Sequence, residues 1–143
     1  YLRKMKISVI DRKGRIVDPN SVNWSKYNKN LPYTLRQEPG PHNALGRMKF
    51  IFPNKNNVYM HDTPAKSLFN KRVRAFSHGC IRLEKPLELL NELGYEYDTN
   101  KNKWVTLEKQ IPVYVEYHTV WIDDEGIVQF RNDIYGYEKK LFS

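Results

Sequence analysis

The sequence has one cysteine in 143 residues, Cys80, so no disulfide can form within the chain. It also lacks long apolar runs, and none approaches the ~18 residues of a membrane-spanning helix. The opening stretch, Tyr1-Leu-Arg-Lys-Met-Lys, is charged and has no apolar core of the kind a secretory signal needs. There are no internal repeats and no paired Cys/His spacings typical of zinc sites. Acidic residues are scarce early on. Residues 1–90 carry 6 Asp/Glu against 18 Lys/Arg, while residues 91–143 carry 10 against 6. The net charge of +8 is therefore a basic portion of +12 and an acidic portion of −4. Such a field either serves solubility or draws an anionic ligand. No nucleic-acid motif accompanies it, and no nucleic-acid partner is expected.

With 40% hydrophobic and 13% aromatic residues, the chain suits one globular domain with a core of its own. Met5–Ile10 alternates as a strand, Asp11-Arg12-Lys13-Gly14 is a turn, and Arg15-Ile16-Val17 returns as the other arm of a hairpin. From Pro19 to Gly46 the chain is rich in asparagine, with four prolines and two glycines, and shows no sustained period. It reads as a long loop or small subdomain pinned by Trp24, Tyr27, Tyr33 and Leu35. Arg47–Phe52 and Asn57–His61 read as paired strands around Pro53–Asn56, and residues 64–72 as a short helix with Leu68 and Phe69 inward. Residues 85–93 form a stronger helix, with Pro86 at its start, Leu87, Leu90 and Leu93 on one face, and Gly94 beyond its end. Ile111–Ile122 reads as an apolar strand turning through Asp123–Gly126 into Ile127–Phe130. The expected fold class is mostly β with short helices.

Two stretches carry chemistry: Tyr59-Met-His61-Asp62-Thr63, and Ser77-His78-Gly79-Cys80-Ile81-Arg82. A thiol with a pKa near 8.5 is only about 3% thiolate at neutral pH. Lowering it by ~2.5 units, worth ~3.4 kcal/mol, would make the thiolate predominate. An imidazole can do this as an ion-pair partner or as the base that takes the proton. His61 stands at a strand end, and His78 is two residues before Cys80, so alternation would point both toward the same side. Spacing leaves both open as the base. Gly79 implies a tight backbone whose amides can face an oxyanion, and Arg82 suits a carboxylate. The plainer alternatives are a small buried thiol and an ordinary Ser-His-Gly-Cys turn. His42 and His118 read as surface or hydrogen-bonded histidines. A metal set of His61, His78 and Cys80 lacks closely spaced ligand pairs, and neither a metal nor another cofactor is expected.

The pattern His61-x-Thr63 followed by Ser77-His78-Gly79-Cys80-x-Arg82 resembles the L,D-transpeptidase catalytic domain, with the upstream histidine 19 residues before the cysteine. Further resemblance lies in Pro39–Arg47 with Lys49-Phe50, in Ile111–Tyr117, and in Asp133-Ile134-Tyr135-Gly136. The set is most similar to the large periplasmic Gram-negative members.

The resemblance implies a β-sandwich whose first strands precede this chain, with residues 1–40 part of a capping insertion and residues 41–143 the later part of the catalytic domain. It implies Cys80 as nucleophile, His61 as base, and the Asp62 carbonyl as the group that orients the imidazole. The family often has Gly or Ser where Asp62 stands, and a carbonyl role does not depend on the side chain. Gly79 and Cys80 amides would face the oxyanion, Ser77 and His78 would shape the site, and Tyr59 and Arg82 would contact substrate. The implied reaction is 3→3 cross-linking of peptidoglycan stem peptides, with a tetrapeptide donor, a diaminopimelate amine acceptor, and carbapenem β-lactams as covalent inhibitors. Water as acceptor would give an L,D-carboxypeptidase, and a protein lysine a lipoprotein-anchoring enzyme. Loss of turnover would leave a cell-wall binding module. The implied location is the periplasm or cell envelope, with membrane attachment only through a segment outside this chain.

Overall fold

The computed structural model describes residues 1–28, 30–98 and 104–141. These fall into two units, Tyr1–Trp104 and Val105–Ser143, each taken by itself below. The architecture is mostly short strands with few short helices.

The first unit holds two three-stranded sheets. In the first sheet, β1 (Ile7–Ile10) is central, with β2 (Ile16–Val17) and β3 (Thr34–Gln37) antiparallel on either side. The β1–β2 turn closes because Asp11 Oδ1 accepts from the amides of Lys13 and Arg15, both at 2.9 Å. Gly14 takes the left-handed φ of +78° that the turn requires. Val9, between β2 and β3, is completely buried. Strand β3 lies within the region read from sequence as a loop. Thr-Leu-Arg-Gln is too short for its alternation to stand out between Pro32 and Pro39, and its pairing with β1 decides its conformation. Of the side chains expected to pin this region, Trp24 and Tyr27 both pack on Tyr33, with ring centroids 6.3 and 6.0 Å away. Leu35 is instead 46% exposed.

The second sheet takes strands from both stretches singled out in the sequence, Tyr59–Thr63 and Ser77–Arg82. Strands β4 (Lys49–Ile51) and β5 (Tyr59–His61) are antiparallel, and β6 (Ile81–Arg82) runs parallel to β5 on its other side. The β4–β5 turn is organised by Asn54, whose Oδ1 accepts from the amides of Asn56 and Val58. Residues 64–72 contain a 3-10 helix over Lys66–Asn70 rather than an α-helix, with Leu68 and Phe69 half-buried. After β6 comes α1 (Pro86–Glu92), with Pro86 in its first turn and Leu87, Leu90 and Leu93 half-buried. Gly94, at φ +81°, donates to Asn91 O and ends the helix.

In the second unit, β7 (Val120–Ile122) and β8 (Val128–Phe130) form a hairpin, followed by α2 (Glu138–Leu141). The strand expected over residues 111–122 is realised only at 120–122. Pro112 removes a donor, and residues 111–119 have no ladder partner among the described residues. Tyr117 instead donates its hydroxyl to Asp133 Oδ1 at 2.8 Å and packs on Tyr135 and Tyr137. No helix among the described residues is long and apolar enough to cross a membrane.

Candidate active site

Register assembles the site. β5 and β6 pair as Met60 with Ile81 and His61 with Arg82. One step back along the same register, Tyr59 meets Cys80, the residue just before β6. Side chains alternate along a strand, so Tyr59, His61, Cys80 and Arg82 share one face while Met60 and Ile81 point to the other. Two stretches 19 residues apart are thereby side by side.

His61 is 5% exposed, and its Nδ1 lies 2.5 Å from the carbonyl oxygen of Asp62. A carbonyl only accepts, so Nδ1 carries the proton, and a neutral ring keeps its lone pair on Nε2. The ring is also fixed by an edge contact with Tyr59, centroids 5.9 Å apart, and Tyr59 has the Lys49 ammonium 5.6 Å from its centroid. Burial pushes the Tyr59 phenol above its ordinary pKa, and the neighbouring Cys80, which accepts its hydrogen bond, pushes it further in the same direction. The contact of Tyr59 with the thiol was legible in principle, since Tyr59 and His61 are two apart on one strand.

The Asp62 carboxylate does more than the sequence reading allowed. It is buried, accepts from the amides of Arg47 and Thr63 at 2.8 Å each, and pairs with Lys66 Nζ at 2.8 Å. Burial alone would raise its pKa, but the Lys66 hydrogen bond, the two amides and the Lys66 charge together hold it below the usual carboxylate range. Gly46 makes room for it: at φ +64°, a Cβ there would come within 2.3 Å of Asp62 Oδ2. Neither Lys66 nor Gly46 stood out in the sequence, because Lys66 faces Asp62 through a 3-10 turn and Gly46 matters only through a long-range approach.

The thiol side of the site is open. Ser77, His78 and Gly79 lie exposed in the loop leading to half-buried Cys80. Gly79 has φ +136°, reserved for glycine, and its amide donates to Ser77 Oγ at 3.2 Å. Arg82 Nη2 donates to Phe76 O at 3.2 Å and so ties the loop back to β6. His118 pairs with Glu116 at 2.8 Å on the surface of the second unit. Among the described residues, no three His, Cys, Asp or Glu side chains gather as a metal site.

A buried imidazole and a free thiol on one face, beside a glycine-shaped turn, bring together the residue types that a thiol nucleophile and its base require. The YkuD family model, described as the L,D-transpeptidase catalytic domain, matches residues 4–129. The chain belongs to the L,D-transpeptidase catalytic domain family. A curated protein of Haemophilus influenzae, provisionally named as an L,D-transpeptidase, is 37% identical over 153 aligned positions. That alignment covers 99% of this chain and 31% of the relative, so the chain spans about a third of the relative's length. The domain match runs through both Tyr59–Thr63 and Ser77–Arg82.

Proposed function

We propose that the chain is an L,D-transpeptidase that forms 3→3 cross-links between peptidoglycan stem peptides through a thioester on Cys80. The single observation that supports this best is the His61 Nδ1–Asp62 O hydrogen bond of 2.5 Å, which leaves Nε2 as the basic nitrogen on the face that register gives to Cys80. In this reading His61 Nε2 takes the Cys80 proton, and Sγ attacks the carbonyl joining the third residue of a tetrapeptide stem to its terminal D-alanine. The oxyanion is met by the amides of Cys80 and Gly79, the latter exchanging its Ser77 Oγ partner for the substrate oxygen. Collapse expels D-alanine, which takes the proton back from His61. The side-chain amine of diaminopimelate on a second stem then attacks the thioester, gives its proton to His61, and restores the thiol. Tyr59 steadies the thiolate by donating its phenolic proton toward Sγ. Arg82, half-buried on the same face, would meet a substrate carboxylate with the donors not held by Phe76 O.

We place the chain in the periplasm or envelope of a Gram-negative bacterium, where such stems are found. We read residues 1–40 as part of a cap over the cleft. Support for the cap is that all three strands of the first sheet lie between Ile7 and Gln37 and, among the described residues, pair only with one another.

Intact-mass measurement after incubation with a carbapenem tests the reading. Wild type should gain one adduct and Cys80→Ala none. An adduct that persists in Cys80→Ala would remove Cys80 as the nucleophile.

A further inference from the structure

We infer that Lys66 is a positioning residue for the His61–Cys80 pair, its ammonium tying the strand that carries the imidazole to the strand that follows the thiol. The inference rests on the base-and-nucleophile reading above.

The ladder between these strands is short. β5 and β6 share two register pairs, and the last backbone bond is Leu83 N to His61 O at 2.8 Å. Lys66 takes over where that ladder ends. Its Nζ lies 2.8 Å from Asp62 Oδ1, 2.8 Å from Leu83 O and 2.5 Å from Glu84 O. An ammonium has three N–H donors, and three acceptors from two chain segments meet it. One acceptor belongs to the residue after His61, and the other two follow β6.

The same residue links the clamp to the imidazole. Asp62 supplies both the carboxylate that Lys66 holds and the carbonyl that receives His61 Nδ1–H. Its amide donates to Met48 O at 2.9 Å, and its carboxylate accepts from Arg47 and Thr63. With the peptide held on every side, the carbonyl cannot swing away from the ring. Releasing Lys66 would leave the Leu83 N–His61 O bond as the last tie between β5 and the far end of β6, and the imidazole would lose its fixed aim. Lys66 is 43% exposed against 8% for Asp62, so water screens the pair and its contribution to overall stability is small. The contribution lies in geometry instead.

The test is the rate at which iodoacetamide alkylates Cys80 at neutral pH in wild type, Lys66→Met, Lys66→Arg and His61→Ala. Misplacement by about an ångström costs up to ~100-fold, so Lys66→Met should react at least ~10-fold more slowly than wild type. Lys66→Arg, which keeps the charge and several donors, should recover most of that loss. The His61 Nδ1–H proton resonance should shift or broaden in Lys66→Met, which a purely stabilising side chain would not cause. Alkylation of Lys66→Met within about twofold of wild type, with His61→Ala still slow, overturns the clamp and leaves the base intact. Equal rates for wild type and His61→Ala overturn both. If Lys66→Met does not fold by circular dichroism, Asp62→Asn keeps the carbonyl but drops the charge that holds Lys66, and the same limits apply to it.

Discussion

In the proposed mechanism, Cys80 and His61 depend on their immediate neighbours, the Asp62 carbonyl on the imidazole and Tyr59 on the thiol. A general base typically contributes 10²- to 10⁴-fold, so His61→Ala should slow carbapenem acylation at least ~100-fold. His42→Ala should remain within about twofold of wild type, since the side chain at 42 is exposed and outside the shared face. Stopped-flow or mass-resolved acylation rates separate the two. Equal slowing would mean that His61 is not the base.

Asp62 makes a different prediction at this scale. Its folded-state pKa is depressed below an unfolded value near 3.9, so its contribution is present above that value. The contribution disappears as pH falls through the unfolded and then the folded value. Asp62→Asn should therefore flatten the fall in Tm between about pH 5 and pH 3. Asp11, Asp123 and Asp133 have lowered values too, so the slope should shrink and not vanish.

At the scale of elements, Gly46 is the tightest point. Alanine there meets both a left-handed φ and the Asp62 side chain, and Gly46→Ala should cost more than about 2 kcal/mol in urea unfolding. Gly14→Ala, with the same kind of φ but open space around it, should cost only about 1 kcal/mol.

This contrast shows what was legible in the sequence. The first hairpin, the β4–β5 pair and α1 could be read because their turn residues and periodic apolar positions are local. Strand β3 could not, because its pairing with β1 joins residues far apart in sequence, from Ile10 with Thr34 to Ile7 with Gln37. Residues 111–119 misled in the opposite way, being apolar enough for a strand but having no ladder partner among the described residues. The site was legible to the extent that it is linear: His61, Gly79, Cys80 and Arg82 stand in two short runs. Lys66 and Gly46 reach Asp62 only in space.

For the whole molecule, the division of charge makes a prediction of its own. The +12 of residues 1–90 includes both site stretches, and stem peptides offer carboxylates. Retention of the chain on isolated sacculi should drop when NaCl rises from about 50 to about 500 mM, because surface attraction is screened within a Debye length. Retention that does not change with salt would assign the basic charge to solubility alone.

The parallel pairing of β5 with β6 separates two quantities that a sequence ties together, namely how far apart the reacting groups are along the chain and how they are phased in space. Within the connection between the two strands, the exposed stretch Arg72–Ala75 is a spacer, and two residues added there would lengthen it without touching a rung. Removing Ile81 would do the reverse: length barely changes, but with Arg82 kept opposite His61 the sulfur turns to the opposite side of the sheet. Changes of size in this domain are therefore judged by parity at the rungs, and a small deletion can be more damaging than a large insertion.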